Sequence, residues 1–252
     1  MKSFPLLYHA HLSRNLEDLP FWLKLAEFFG DPILELGCGT GRVFIPLVQA
    51  GYRVYGLDND PDMLAVLRHH LPAELQGEAR LVQGDLTAFH LGMPFNLVLL
   101  PCNTWSTLHA NQRRAALGCI RRHLAPGGVF AASLPNPALL RGLPRRAMPE
   151  VEEVFAHPLD GEPVLVSSAW VKDAHTLTVA WHYDHLLANG KHERVAAHFR
   201  HALDLLEAYL EELTSAGLDE IRVYGDFDGS PHRQDAPHLI LVAGWTAPAE
   251  AF

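Results

Sequence analysis

A glycine-rich turn lies between a short apolar run and a helix pattern in this chain, and few folds accommodate such a turn. The segment "ILELGCGTGR" begins at Ile33 and places Gly37, Gly39 and Gly41 on alternate positions. A second apolar run then ends at Asp58. Glycine has no Cβ, so the backbone at such a turn can approach a ligand closely. The helix that follows directs its free N–H groups toward the same place. The pattern therefore predicts a strand–turn–helix–strand unit that holds a nucleotide.

Strand and helix patterns continue to alternate up to residue 135. Further apolar runs at 79–85, 95–101 and 129–135 are typical of buried strands, and residues 111–124 have helical spacing. Residues 14–30 also carry apolar side chains at helical spacing, which predicts one N-terminal helix. Such close alternation indicates a parallel sheet covered by helices on both faces. An apolar fraction of 48% in 252 residues supplies enough material for that core.

The alternation breaks after residue 135. Four strand-like runs follow, joined by short turns such as "LDGE" and "ANGK", and they predict an antiparallel meander inserted over residues 136–202. A helix pattern at 204–218 and two adjacent strand patterns then close the chain. We therefore expect one domain over residues 1–252, with residues 1–30 as an N-terminal cap helix and the meander as a lid.

The spacing of the glycines indicates which nucleotide is bound. A dinucleotide fold favours G-x-G-x-x-G, whereas position 42 here is Arg42 and the third packing glycine is missing. Asp58 ends the second strand, where a carboxylate can accept hydrogen bonds from ribose hydroxyls. Asp85 ends the third strand on the same rim and either accepts from an adenine amino group or caps a turn. The pattern favours an adenosine ligand without a diphosphate; a dinucleotide-dependent oxidoreductase is the less favoured alternative.

Four segments together give the chain a family resemblance. "LELGCGTGR", "GLDNDPDML", "GDL" and "LAPGG" resemble the class I S-adenosylmethionine-dependent methyltransferases that act on small molecules. The resemblance implies a Rossmann-like, doubly wound α/β sheet of seven strands whose last strand is antiparallel. It also implies S-adenosyl-L-methionine as cofactor and methyl transfer to a small-molecule acceptor by in-line displacement. A non-catalytic cofactor-binding module, with the meander as a dimer or partner surface, is the alternative.

The resemblance further implies a set of cofactor contacts. The glycines would lie near the methionine and ribose portions, Asp58 at the ribose, and Asp85 with the Leu86 backbone at the adenine. Met63 is alternatively a helix core residue, and Arg14 either pairs with the methionine carboxylate or is a surface charge. The implied cofactor-binding residues are Arg14, Glu35, Gly37, Gly39, Gly41, Asp58, Asn59, Met63, Asp85, Leu86 and Pro101.

The acceptor site is less well defined by the sequence. The stretch "LLPCNTWSTL" leaves the fourth strand, where this family places its acceptor, and Asn103 within it either lines the site or serves as a turn residue. On the strand "AWHYDHLL", residues Trp181, Tyr183 and His185 share one face, and the sequence does not decide which face meets the site. Asp226 and Asp228 either bind a cationic acceptor or belong to a turn. The acceptor-site candidates are Asn103, Tyr8, His11, Tyr183 and His185; no general base is assigned.

Charge and composition limit the classes of partner that this chain is expected to have. A net charge of −9 without a basic stripe argues against nucleic acid, and no apolar stretch is long enough to span a membrane. Three widely spaced cysteines fit a cytoplasmic protein without disulfides. The pairs His182/His185 and His198/His201 lie on predicted strands, where positions three apart face opposite ways, so we expect no metal. A homodimer through the meander edge is a further expectation.

Overall fold

A seven-stranded sheet lies at the centre of the computed structural model, which describes residues 3–244 of the chain. Residues 1–2 and 245–252 of the predicted 1–252 domain lie outside the described residues. The strand order is β10-β11-β5-β4-β1-β2-β3, and β11 runs antiparallel to both of its neighbours. The predicted doubly wound sheet with an antiparallel last strand is therefore confirmed. Its strands are β1 (Ile33–Leu36), β2 (Val54–Asp58), β3 (Ala79–Gln83), β4 (Phe95–Leu100), β5 (Leu124–Pro135), β10 (Glu220–Tyr224) and β11 (His238–Gly244).

Helices cover both faces of this sheet because its central strands carry apolar side chains on both faces. Every residue of β1 is buried, and two separate clusters of buried side chains lie on its two faces. One cluster joins the sheet to α2, α3 and α4, and the other joins it to α5 and α7. These helices are α2 (Leu19–Phe29), α3 (Phe44–Gln49), α4 (Pro61–His70), α5 (Ala110–His123) and α7 (Leu206–Ser215).

The N-terminal region forms two helices, so the prediction of one cap helix over 1–30 was wrong. The first helix, α1, spans Ser3–Leu12, and α2 begins only at Leu19. Pro20 lies in the first turn of α2, where its fixed φ suits a helix start and its missing N–H is not needed. A helix that continued through residues 14–30 would require that N–H to donate to the Leu16 carbonyl, which proline cannot do. Leu16, expected on the helix face, is 44% exposed in the connecting loop. The break lets α1 leave the central sheet and pack elsewhere.

The predicted meander is a second sheet, in which four antiparallel strands pair in chain order. One of its faces packs against α1 through an apolar cluster that includes Leu7, Val164 and Tyr183. A short helix, α6 (Pro137–Gly142), precedes the sheet in a stretch that the sequence presents as loop. The strands are β6 (Arg146–Ala156), β7 (Pro163–Lys172), β8 (Thr176–Leu186) and β9 (His192–Ala202).

A buried arginine connects two helices of the central sheet with the segment that follows the meander. The Arg113 side chain on α5 is 1% exposed, and its Nε and Nη2 donate to the two carboxylate oxygens of Glu212 on α7 at 2.7 and 2.9 Å. Nη2 also donates to Asp204, just after β9, at 2.7 Å, and Nη1 donates to the Leu108 carbonyl at 2.9 Å. The guanidinium carbon lies 4.7 Å from the centre of the Tyr209 ring. One cation thus joins α5, α7 and the end of the meander.

We expect Arg113→Ala to lower the free energy of unfolding by about 3–5 kcal/mol, because it leaves the Glu212 carboxylate buried without its partner. Urea unfolding followed by circular dichroism measures this loss. The matched control is Arg114→Ala, an exposed neighbour on the same helix that contacts Asn111, and it should change stability by no more than about 0.5 kcal/mol. Equal effects of the two substitutions would contradict the assigned role of Arg113.

Candidate active site

The glycine turn after β1 combines close packing with open space. Gly37, Gly39 and Gly41 all adopt positive φ, at 62°, 52° and 91°. A Cβ on Gly41 would lie 2.8 Å from Leu67 Cγ, so this glycine allows α4 to pack against the turn. A Cβ on Gly39 would meet only the Gly37 carbonyl at 4.0 Å. The space beside Gly39 is therefore open, as a turn that approaches a ligand requires.

Asp58 at the end of β2 is connected to this turn. Its Oδ2 accepts a hydrogen bond from the Gly39 N–H at 2.8 Å, and its Oδ1 accepts from the Asp60 N–H at 2.9 Å. Burial raises the pKa of the Asp58 carboxyl, and the backbone N–H donors of Asp60 and Gly39 oppose that rise. Asn59 is exposed beside it, and Met63 is partly buried in the first turn of α4. The carboxylate has lone pairs left for hydroxyl donors of a ligand.

Asp85 performs the turn-capping role that the sequence left open. The N–H and hydroxyl of Thr87 both donate to its Oδ1, at 2.8 and 2.7 Å, and they lower the pKa of this exposed carboxyl. Its other oxygen has no hydrogen bond among the described residues. The Leu86 side chain packs against the core, which leaves its backbone available for the implied contact to the adenine. A cap and a contact to a ligand are therefore compatible at Asp85.

Glu35 is a buried carboxylate that the protein leaves incompletely paired. It lies in β1 and is 2% exposed, and its Oε2 has no hydrogen-bond partner among the residues that the structure describes. Burial raises the pKa of Glu35 well above its usual range, while the nearby Arg42 cation acts in the opposite direction. An orphaned buried acceptor is costly unless a ligand donor reaches it. Glu35 therefore suits a cationic or amino group of a bound molecule.

Arg42, and not Arg14, is the arginine at the site. Arg14 is exposed on the loop between α1 and α2 and does not line the large cavity beside Arg42. Arg42 donates from Nη2 to Asp18 Oδ2 at 2.6 Å and to the Cys102 sulfur at 2.8 Å. Asp18 also accepts from Trp22 Nε1 at 2.8 Å. The cavity thus has an arginine from the glycine-turn segment in its wall, where the sequence offered Arg42 only as a departure from the dinucleotide pattern.

A cavity of about 890 Å³ opens beside these residues. It lies between α1, the loop after β4, the inner face of β8 and β9, and the loop after β10. Pro101 is buried at the start of the β4 loop and is not among the lining residues. The cavity has aromatic walls and an acidic rim, which suits an amphiphilic or cationic small molecule. Its lining includes Tyr8, Asn103, Trp181, Phe199, His201 and Asp226.

The structure brings only two of the five acceptor-site candidates to the cavity wall, namely Tyr8 and Asn103. Tyr183 is fully buried between α1 and the meander, and its hydroxyl lies 3.1 Å from His11 Nδ1. His185 lies further along β8, where it contacts the β6–β7 turn. The face that carries Trp181 is the one turned toward the cavity and α1, which resolves the choice that the sequence left open. Tyr183 and His185 share that face but lie beyond the cavity.

The sequence did not identify His201 as a site residue. It lines the cavity from β9, where it is paired in register with Leu177 of β8. Its Nδ1 lies 2.9 Å from the Ser106 hydroxyl in the 3₁₀ turn Thr104–Thr107. This contact joins residues 95 positions apart, so no local pattern could have found it.

His157, Asp160 and His185 form a cluster outside the cavity. Asp160 lies 3.2 Å from Nδ1 of His157 and 3.2 Å from Nε2 of His185. The two imidazole rings are stacked at 4.0 Å with an angle of 10° between their planes. A metal ion lies near the plane of each imidazole that binds it, and two parallel stacked planes do not meet at one point. His185 Nε2 is hydrogen-bonded to the Asp160 carboxylate, whereas His157 Nδ1 accepts from the Leu159 N–H and lies beside that carboxylate. The absence of a metal stays a prediction.

Known proteins resemble this chain in sequence over its first half. Residues 33–128 match the family model described as a methyltransferase domain. The cypemycin N-terminal methyltransferase of a Streptomyces species is 32% identical over 110 residues, which are 43% of this chain and 44% of that protein. The chain spans less than half the length of the first curated relatives that it matches.

Solved structures share the whole fold. An S-adenosylmethionine-dependent methyltransferase from Clostridium acetobutylicum aligns with a TM-score of 0.77 at 13% identity, covering 96% of this chain and 97% of that one. The amino pentose methyltransferase of Micromonospora echinaspora, solved with S-adenosylmethionine bound, aligns at 0.70 with 22% identity and 98% coverage of both chains. No helix among the described residues is long and apolar enough to cross a membrane. Residues 33–128 are thus similar to a methyltransferase domain, and the chain shares the fold of S-adenosylmethionine-dependent methyltransferases of known structure.

Proposed function

We propose that this protein transfers a methyl group from S-adenosyl-L-methionine to a small-molecule amine bound in the cavity. The observation that carries the proposal is the position of the cavity. Arg42, which follows Gly41 in the turn, lines the cavity, and so does Thr104, whose Cγ2 would lie 3.3 Å from a Cβ on Gly37. The cavity therefore reaches the glycine turn at the carboxyl ends of the strands, where ligands of open α/β sheets bind. When bound, S-adenosylmethionine supplies a methyl group on a positively charged sulfur. The task of the chain is then to hold the acceptor in line and to exclude water.

The buried polar groups fit that cofactor. Asp58 would accept hydrogen bonds from the ribose hydroxyls, and the orphaned Oε2 of Glu35 would accept from the amino group of the methionine portion. The open space beside Gly39 leaves room for the ligand to contact the backbone. Asp85 and Leu86 remain proposed contacts to the adenine, and Asn59 and Met63 are proposed to lie near the adenosine.

An amine is the acceptor class that the cavity suits best. Tyr8, Trp181 and Phe199 give it aromatic walls, and Asp226 and Asp228 place carboxylates at its rim. Aromatic rings and carboxylates both favour a cation, and neither favours an anionic acceptor. Relatives named above as an N-terminal methyltransferase and an amino pentose methyltransferase support a nitrogen acceptor. The cytoplasmic location, the homodimer and the lack of a nucleic-acid partner stay predictions.

The first experiment is calorimetric titration of the purified chain with S-adenosylhomocysteine and, separately, with NADH. Binding of S-adenosylhomocysteine at one site, without binding of NADH, supports the proposal. Binding of NADH without binding of S-adenosylhomocysteine supports the oxidoreductase alternative. Mass spectrometry then follows methyl transfer to a panel of amino sugars and peptides with free amino termini, with the matched hydroxy compounds beside them. Cofactor binding without turnover of any amine would favour the non-catalytic module.

We expect Asp58→Asn to weaken S-adenosylhomocysteine binding about 10- to 100-fold, because it removes the charge from two hydrogen bonds to the ribose. Calorimetry measures the change. Asp228→Asn is the matched control: it removes a carboxylate from the exposed loop after β10, which is not assigned to the cofactor, and should leave this affinity within twofold. An unchanged affinity in Asp58→Asn, with its fold intact by circular dichroism, would contradict the assigned cofactor pocket.

Glu35→Gln should change how stability depends on pH. The raised pKa means that the folded state keeps a proton on Glu35 that the unfolded state releases, so wild-type stability falls as pH rises above the unfolded pKa. Glutamine does not titrate. In the absence of cofactor, the variant should therefore gain stability relative to wild type between pH 5 and pH 8.

Urea unfolding at several pH values measures this difference, and the exposed Glu27→Gln on α2 is the control, for which no such trend is expected. A constant difference between wild type and Glu35→Gln across this range would rule out a perturbed Glu35.

A further inference from the structure

The 3₁₀ turn after β4 holds a serine between two hydrogen-bond partners. Ser106 is 1% exposed, and its Oγ lies 2.7 Å from the Asn103 carbonyl oxygen and 2.9 Å from His201 Nδ1. The Asn103 carbonyl also accepts from the Ser106 backbone N–H at 3.1 Å. The serine hydroxyl is thus a link between the loop after β4 and strand β9 of the meander.

These two distances fix the tautomer of the histidine. A serine hydroxyl carries one proton, and a carbonyl oxygen can only accept. If Ser106 donated to His201, its oxygen would face the Asn103 carbonyl at 2.7 Å with no proton between them. Both contacts are satisfied only when Ser106 donates to Asn103 and His201 Nδ1–H donates to Ser106. Neutral His201 then carries its lone pair on Nε2.

The Nε2 lone pair of His201 is available to accept a hydrogen bond or a proton from a ligand. His201 lines the cavity, and Nε2 has no hydrogen bond among the residues that the structure describes. Burial lowers the pKa of His201, so the imidazole is neutral at neutral pH. The same cavity is lined by other titratable groups, none of which is a cause of that shift. These groups are Tyr8 on α1, Glu17 and Asp18 on the next loop, Arg42, Cys102, Asp226, Asp228 and His238.

The backbone before Ser106 is held in an unfavourable conformation. Cys102 and Asn103 both have positive φ, 62° and 65°, which side-chain-bearing residues seldom adopt. Such strain persists only where neighbouring contacts impose it, and here Arg42 Nη2 donates to the Cys102 sulfur. Asn103 is also the N-cap of the 3₁₀ turn, and its carbonyl accepts from Ser106. Strain at a site wall of this kind is typical of functional loops.

We propose that His201 Nε2 is the proton acceptor of the methyl transfer and that Ser106 is the positioning residue that fixes its tautomer. This rests on the proposed function. Nε2 takes one proton from the protonated amine of the acceptor, which leaves a lone pair on the nitrogen. That nitrogen then forms the new carbon–nitrogen bond as the methyl carbon–sulfur bond breaks, with the electrons of the broken bond staying on sulfur. The imidazolium returns its proton to solvent.

The first test reads the tautomer directly. The full chain is labelled with ¹⁵N-histidine and saturated with S-adenosylhomocysteine, and a long-range ¹H–¹⁵N spectrum is assigned at His201 by comparison with His201→Gln. We expect the neutral Nδ1–H form, and we expect Ser106→Ala to shift it toward Nε2–H. The matched control is Thr107→Val, which removes a neighbouring hydroxyl bonded to the Thr104 carbonyl and should leave the tautomer unchanged. An Nε2–H tautomer in the wild type would overturn the proposal.

The second test is kinetic, with D-glucosamine as the probe amine. We expect His201→Gln to lower kcat about 10²- to 10⁴-fold with little change in the KM of the amine, and to remove the acidic limb of the pH profile of kcat. Ser106→Ala should move that limb without abolishing turnover. S-adenosylhomocysteine affinity should stay within twofold in both variants. Turnover of His201→Gln within threefold of wild type would overturn the proposal, whereas loss of cofactor binding by the wild type would overturn the proposed function instead.

Discussion

The hydrogen bond from the Gly39 N–H to the Asp58 carboxylate is the constraint around which the site is organised. It joins the turn after β1 to the end of β2, so two neighbouring strands present their carboxyl ends as one rim. The bond depends on close packing beneath it. A Cβ on Gly56 would lie 2.8 Å from the Cys38 sulfur, and one on Gly41 would lie 2.8 Å from Leu67. Glycine at these positions lets the turn pack close to β2, so that the Gly39 N–H reaches the Asp58 carboxylate.

The sequence predicted this rim well because the features that build it are local. The glycine turn, the strand that ends in Asp58 and the helix that begins at Pro61 all lie within about thirty residues. The antiparallel last strand followed from the family resemblance and from the two adjacent closing strand patterns. The N-terminal helix was predicted wrongly because apolar spacing continues across the loop around Leu16, while the break is set by Pro20. Periodicity reports which side chains are apolar, and it does not report where the backbone changes direction.

The acceptor side could not be predicted in the same way because it depends on how the meander docks. Val179, Trp181 and His201 reach the cavity through the pairing of β8 with β9 and through the contact of β9 with the 3₁₀ turn. Candidates such as Tyr183 and His185 had suitable chemistry, but the length of β8 carries them past the cavity. In the structure, Tyr183 packs beneath α1, and His185 bonds to the turn at Asp160.

Both halves of the site contain features that lower the stability of the folded chain. The cofactor side leaves Oε2 of Glu35 buried and unpaired, and the acceptor side holds Cys102 and Asn103 at positive φ. Each of these features costs free energy in the folded chain, and none adds to the core. Arg113 and its carboxylates offset such costs away from the cavity, at the junction of α5, α7 and the meander. A bound cofactor that donated to Glu35 would remove one of these costs, so the empty protein should be the less stable form, and ligand binding and folding should reinforce each other.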